Sequence, residues 1–207
     1  FLSLTSDHKA LFGKDNPMIF SASGRTEIAG NHTDHNLGLV IGASINLDTI
    51  AAVTKRDDMI VNFCSEGFPK CTIDISDLEI KEEEKNTTAS LLRGVARAFK
   101  DRGFDIKGFD ANVTSKVLRG SGLSSSASVE VLIGEIFNSL YGDDSLTPVE
   151  IAKSGQYAEN VYFGKPSGLL DQLSCAYGGI IGIDFENKTE PKVEPLSFDF
   201  ADYDLEM

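Results

Sequence analysis

Residues Val117–Ser128, VLRGSGLSSSAS, place two glycines and then four serines between a strand-like run and an apolar, helix-like run. Gly120 and Gly122 can present backbone N–H groups to a ligand without a Cβ in the way. Ser124, Ser125, Ser126 and Ser128 open the run that follows. At a helix start, unsatisfied N–H groups and the positive end of the helix dipole favour an anion. The plain alternative is a serine N-cap. A cap needs one hydroxyl and this stretch supplies several, which favours a phosphate. The stretch is neither a GxxxxGK[ST] loop nor a GxGxxG turn.

Two further stretches carry chemistry-bearing residues. In GRTEIAGNHTDHNLG, Gly24 to Gly38, an arginine, a glutamate, two asparagines, two histidines and an aspartate crowd a glycine-bounded segment just after a strand-like run. That mix of donors and acceptors suits a polyol such as a sugar, against the simpler reading of a polar loop with Asx turns. In AENVYFGKPSGLLDQLSCAYGG, Glu159 lies near a helix end and Asp171 sits inside GLLDQL. Desolvation there would raise the Asp171 pKa, and a neighbouring arginine such as Arg25 would lower it. A helix cap would be expected at the first residue of such a run rather than within it.

The elements that must position these residues are readable in outline. Met18–Ala22 is strand-like and breaks at Gly24. Residues 47–54 and 59–64 read as strands joined by the turn-forming KRDD, and CTIDI would continue an antiparallel meander. Residues 86–101 have apolar positions at helical spacing and a stop at Gly103. GFDANVTSKV returns to strand character, and ASVEVLIGEIFNSLYG reads as a buried helix closed by Gly142. TPVEIAKSGQYAENVYFG reads as a helix with Thr147 as N-cap, Pro148 at its first position and Gly164 after its end. GGIIGIDF and KVEPLSFDF are late strands, and EIKEEEK reads as a solvated loop or helix start. Strands and separate helices together indicate an α+β fold.

The 207 residues suffice for one domain with a real core. No apolar run is long enough to span a membrane, and FLSLTSDHKALFG lacks the basic start and apolar run of a signal peptide. A net charge of −13 argues against nucleic-acid or anionic-membrane partners, which want basic patches. Cys64, Cys71 and Cys175 are odd in number and form no CxxC, which fits a reducing cytoplasm better than disulfides or zinc.

The three stretches, in this order and spacing, resemble the GHMP kinases (galactokinase, homoserine kinase, mevalonate kinase, phosphomevalonate kinase). GRTEIAGNHTDHNLG resembles the galactokinase signature, usually GRxNxxGEHTDYxxG. RGSGLSSSAS resembles the second, phosphate-binding motif of that family, and GKPSGLLDQLSCAYGG the segment around its catalytic aspartate. The resemblance implies a two-layer α+β domain of the ribosomal protein S5 domain 2-like type. It also implies ATP-dependent phosphorylation of galactose at its anomeric hydroxyl, giving galactose 1-phosphate.

By the same resemblance Asp171 stands where the family has its catalytic base, and Arg25 where an arginine keeps that base ionised and stabilises transferring charge. Gly120, Ser121, Gly122, Leu123, Ser124, Ser125 and Ser126 match the ATP phosphate loop. Ser126 and Glu159 match Mg²⁺ positions, and Ser65 more weakly a nucleotide-contacting serine. Asn31, His32, Thr33, Asp34 and Gly168 match sugar-contacting positions.

Glu27, Asn31 and His35 depart from the family's usual asparagine, glutamate and tyrosine, which leaves a uronic acid or amino sugar open as substrate. A non-catalytic sugar- and ATP-binding sensor is the other alternative. The family's third glycine-rich motif is absent, so the resemblance implies an N-terminal domain spanning 1–207. That domain is expected to complete its nucleotide site with a C-terminal domain and to be inactive alone.

Overall fold

The structure, a computed structural model, describes residues 2–30 and 36–198. The central sheet is built by β1 (Met18–Ala29), β2 (Leu39–Lys55), β3 (Ile60–Ser65), β4 (Cys71–Asp74), β5 (Phe109–Ser115), β6 (Ile180–Asp184) and β7 (Lys192–Leu196). Its strand order is β4-β3-β5-β2-β6-β7, with β1 also paired to β2. The helices are α1 (Leu2–Phe12), α2 (Thr88–Asp101), α3 (Ser125–Tyr141), α4 (Pro148–Tyr157) and α5 (Leu170–Tyr177). None of the described helices is long and apolar enough to cross a membrane.

Alternation along β5 sorts the layers, because successive strand residues face opposite sides of a sheet. Phe109, Ala111 and Val113 join the main core with Val95 and Phe99 of α2 and Ile133 and Phe137 of α3. Asn112 faces the other side, where its amide donates to the Leu4 carbonyl of α1 at 3.2 Å. A smaller apolar cluster joins Leu170 and Leu173 of α5 to Val40, Ile181 and Ile183 of the sheet. The architecture is therefore the expected α+β layering, with α1, which the sequence did not announce, laid on the opposite face.

The expected meander is not formed. β2 pairs with β5 (Thr49 opposite Ser115 through Lys55 opposite Phe109), and β3 pairs with β5 in parallel. Only β3 and β4 form the antiparallel neighbours the pattern implied. The physical reason lies at Gly108, just before β5. It donates to the Asp58 carbonyl at 2.7 Å and accepts from the Arg56 N–H at 3.0 Å. A Cβ on Gly108 would come within 1.8 Å of the Ile60 carbonyl oxygen. The crossover through α2 thus returns a glycine into the β2–β3 turn, and β5 is inserted between the two strands.

EIKEEEK is only partly solvated. It forms a 3₁₀ turn, Glu82–Glu84, and Glu84 turns inward to a two-pronged pair with Arg93 (Nη2–Oε1 2.7 Å, Nε–Oε2 2.8 Å). Arg93 is 2 % exposed and also donates to the carbonyls of Asp74 and Asp77. The pairing tacks the segment after β4 onto α2.

The start of α4 follows the sequence. Thr147 accepts from the Glu150 N–H, and the Glu150 side chain reciprocates on the Thr147 N–H at 2.8 Å. This capping box satisfies two otherwise orphaned donors. Thr147→Ala is expected to cost about 1 kcal/mol and to lower Tm by roughly 3 °C. Thr147→Ser should restore both in calorimetry, because the cap needs only the hydroxyl.

Candidate active site

Arg25 lies on β1 immediately after a register irregularity in its pairing with β2, between Ser23 and Arg25. Such bulges re-aim a side chain. The Arg25 Nε donates to Asp171 Oδ1 at 2.7 Å and its Nη1 to the Gly122 carbonyl at 2.7 Å. Its backbone N–H donates to the Leu123 carbonyl at 3.1 Å. One buried arginine therefore ties β1 to both the glycine-serine loop and α5.

Asp171 sits in the first turn of α5, where a negative charge is favoured by the dipole. It is not the N-cap residue, which is Leu169. Ser124 Oγ donates to its Oδ2 at 2.5 Å, so each carboxylate oxygen has a fixed partner. The flanking Leu170 and Leu173 point into the core, while Asp171, its side chain about one-third exposed, faces an open cleft. That cleft, about 270 Å³, is lined by Arg25, Leu118, Gly120, Gly122, Ser124, Ser125, Ser126, Lys165 and Asp171.

The serines are not caps. Gly120 and Gly122 take positive φ (+74° and +80°), and Ser124, the residue before α3, is also left-handed with no side-chain cap bond. Ser121 Oγ turns back to the Leu118 carbonyl, and Ser126 Oγ donates to Glu159 Oε1 at 3.2 Å. Ser128 Oγ is buried between the Ala22 carbonyl and Thr49 Oγ1. The hydroxyls are thus engaged with the site and the sheet. The first turn of α3 opens on the cleft at Ser125 and Ser126 without a side-chain cap from Ser124.

Glu159 belongs to a π-helical turn, Ala158–Phe163, that continues α4 and closes at Gly164. Widened turns of this kind often mark functional sites. The Glu159 carbonyl accepts from the N–H groups of Gly164 and Lys165, both at 3.1 Å. Its buried carboxylate takes Lys165 Nζ (3.0 Å) and the Ser126 hydroxyl on Oε1, and Gln172 Nε2 (3.0 Å) on Oε2. Gln172 Nε2 also donates to Glu130 Oε2 at 2.9 Å. Glu159 beside it raises the Lys165 pKa above its ordinary value. Among the described residues no group of three or more His, Cys, Asp or Glu side chains gathers to hold a metal. A hard cation would therefore rest on the Ser126 hydroxyl, the Glu159 carboxylate and oxygens brought by a ligand, a donor set that suits Mg²⁺.

Lys165, Gln172 and Glu130 were not singled out in the sequence. Signals existed: a lysine inside GKPSG, a glutamine directly after Asp171, and an acid within the apolar run SVEVLIG. Burial, with Glu159 nearby, pushes the Glu130 carboxyl well above its ordinary range. Glu130 Oε1 and Gln172 Oε1 are both buried without hydrogen-bond partners. A proton on Glu130 removes a negative charge that burial and the Glu159 carboxylate disfavour.

A raised folded value means that the folded chain keeps a proton the unfolded chain has released. The associated stability is complete below the ordinary carboxylate value and declines as pH rises towards the folded one. Glu130→Gln, neutral throughout, lacks that slope. Wild-type stability relative to the variant should fall by up to about 1.4 kcal/mol per pH unit. Urea unfolding across a pH series tests this, and parallel curves would refute it.

Of the other expected positions, two lie among the described residues, Ser65 and Gly168. Ser65 ends β3 outside the cleft lining, and the turn after it brings the Phe68 ring to 5.7 Å from the Arg119 guanidinium. Gly168 lies three residues before Asp171, beyond the π turn. Its neighbour Ser167 is pinned there by an N–H bond to Asn160 Oδ1 at 2.6 Å. Asn31, His32, Thr33 and Asp34, with His35, lie outside the described residues.

Residues 90–179 match the family model described as GHMP kinases N terminal domain, and residues 6–55 match the galactokinase galactose-binding signature. A galactokinase of Clostridium tetani is 36% identical over 81% of this chain and 43% of its own length. One of Lactococcus lactis subsp. lactis is 32% identical over 98% of this chain and 51% of its own.

The crystal structure of Lactococcus lactis galactokinase complexed with galactose superposes with a TM-score of 0.83 at 31% identity, covering 95% of this chain and 52% of that one. Methanococcus jannaschii mevalonate kinase shares the fold at a TM-score of 0.72 and 18% identity, over 91% of this chain and 58% of that one. The chain spans about half the length of the curated relatives it matches. With the GHMP kinases N terminal domain and the galactokinase galactose-binding signature both matched on one chain, it belongs to the GHMP kinase family and carries the galactokinase signature.

Proposed function

We propose that this chain forms the sugar- and ATP-binding domain of a galactokinase that phosphorylates the anomeric hydroxyl of galactose. The observation that carries this reading is one cleft holding a carboxylate with both oxygens anchored, Asp171, beside an uncapped glycine-serine loop at a helix start. Phosphoryl transfer asks for positioning and charge neutralisation more than covalent chemistry.

Asp171 takes the proton of the attacking hydroxyl. The hydroxyl oxygen then bonds to the terminal phosphorus as the bond to the ADP oxygen breaks. Arg25 holds Asp171 in place and adds positive charge beside the transfer. The α3 N-terminus, with Gly120, Ser121, Gly122, Leu123, Ser124 and Ser125, supplies N–H groups to the phosphates. Ser126 and Glu159 would hold Mg²⁺, which supplies charge neutralisation on the phosphate oxygens. Asn31, His32, Thr33, Asp34 and Gly168 are assigned to the sugar and Ser65 to the nucleotide. A second domain completes the nucleotide site, and the setting is cytoplasmic.

Asn31 and His35 favour testing acidic sugars alongside galactose, because asparagine removes a charge that would repel a carboxylate. Sugar-dependent ADP release by the full-length protein, across galactose, galacturonate and amino sugars, tests the reading. Sugar 1-phosphate from galactose is the expected product. Tight sugar and ATP binding without any product would favour the sensor.

A further inference from the structure

Lys165 is the one cleft-lining cation, among the described residues, that the mechanism above leaves without a task. Its backbone is fixed, because its N–H donates to the Glu159 carbonyl at 3.1 Å. Its side chain is 57% exposed and reaches across to Glu159 Oε1 at 3.0 Å. That same oxygen accepts from the Ser126 hydroxyl, and the other oxygen of Glu159 is committed to Gln172. Ammonium and hydroxyl thus meet on a single carboxylate oxygen, the one that Ser126 and Glu159 would offer to a divalent cation.

A dication on that oxygen would meet a positive charge already there, and like charges at contact distance in a partly buried site repel. Of the two, the ammonium is the one that can leave. It sits on a flexible four-carbon stem with rotatable donors, and its path runs over the cleft shared with Gly120, Gly122, Ser125 and Ser126. Arg25 has no such freedom, being 8 % exposed and tied to both Asp171 and Gly122.

We propose that Lys165 is an exchangeable counter-cation: it neutralises Glu159 before the nucleotide arrives, and moves onto the nucleotide's terminal phosphates when a divalent cation takes Glu159. This rests on the phosphate reading of the cleft. It makes Lys165 a further substrate-binding residue of the reaction and keeps buried Glu159 paired in both states.

The signature is a pair of opposite shifts. In the full-length protein, Lys165→Met should bind Mn²⁺ alone several-fold more tightly, because a competing cation is gone, as read by electron paramagnetic resonance without nucleotide. The same variant should bind a non-hydrolysable ATP analogue with Mg²⁺ roughly tenfold more weakly, the size of one charge-assisted hydrogen bond. Lys165→Arg should keep both constants near wild type. If loss of the hydrogen bond to Glu159 prevents folding of the Met variant, Lys165→Gln keeps a donor to Glu159 without the charge, and the same two signs are expected.

Both constants weakened together would mean a structural role and overturn the proposal. Tighter Mn²⁺ with unchanged analogue binding would overturn the transfer to phosphate. A wild-type protein that does not bind the analogue at all would overturn the phosphate reading itself, and this proposal with it.

Discussion

Asp171→Asn in the full-length protein is expected to reduce kcat for galactose phosphorylation by roughly 10²–10⁴-fold, the usual contribution of a general base. Sugar affinity should stay within a few-fold of wild type. The site's geometry predicts this separation. The Asn carbonyl can take over the place of Oδ1, which accepts from Arg25 Nε at 2.7 Å. The amide nitrogen then faces Ser124 Oγ, and that hydroxyl can rotate from donor to acceptor. Position is therefore kept while basicity is lost. Rapid-quench turnover and calorimetric sugar binding, measured on the same preparation, check the two halves. Turnover near wild type would remove Asp171 from its role.

Arg25→Ala should be nearly as costly, lowering kcat/KM by about 10²-fold, and its effect should depend on pH. The guanidinium is the cation against Asp171 Oδ1 and also holds the Gly122 carbonyl. Removing a cation beside a carboxylate favours its protonated form. A base that must be ionised is then available only at higher pH, so the acidic limb of the pH–rate profile moves upward. Loss of loop positioning alone would lower the whole profile without moving that limb. An unmoved limb with full activity would make Arg25 a scaffold residue only.

How legible these parts were in the sequence follows the range of the forces involved. The start of α4 at Thr147 and Pro148, the closing Gly142 after α3 and the stop at Gly164 are local features, satisfied within one turn of chain. They were readable for that reason. α1 was not, because its place is set by contacts 46 and 108 residues away, His8 to Thr54 and Leu4 to Asn112. α5 hid behind the glycines and proline before it, although its eight residues carry Asp171. The meander looked sound locally and failed non-locally, since sheet register is settled by which strand buries its face against which neighbour.

By itself the sequence determined the α+β class and the glycine-serine loop, because residue type and spacing are local and chemical. The candidacy of Arg25, Asp171, Ser126 and Glu159 came through the resemblance that their motifs carry. Only the tertiary structure decided that Arg25 and Asp171, 146 residues apart, meet at 2.7 Å. It alone turned the serines to Asp171 and Glu159 instead of to a cap, placed β5 between β2 and β3, and brought Lys165 and Gln172 onto Glu159. Those outcomes depend on close packing of distant segments and on pairing every buried polar group, neither of which a linear pattern specifies.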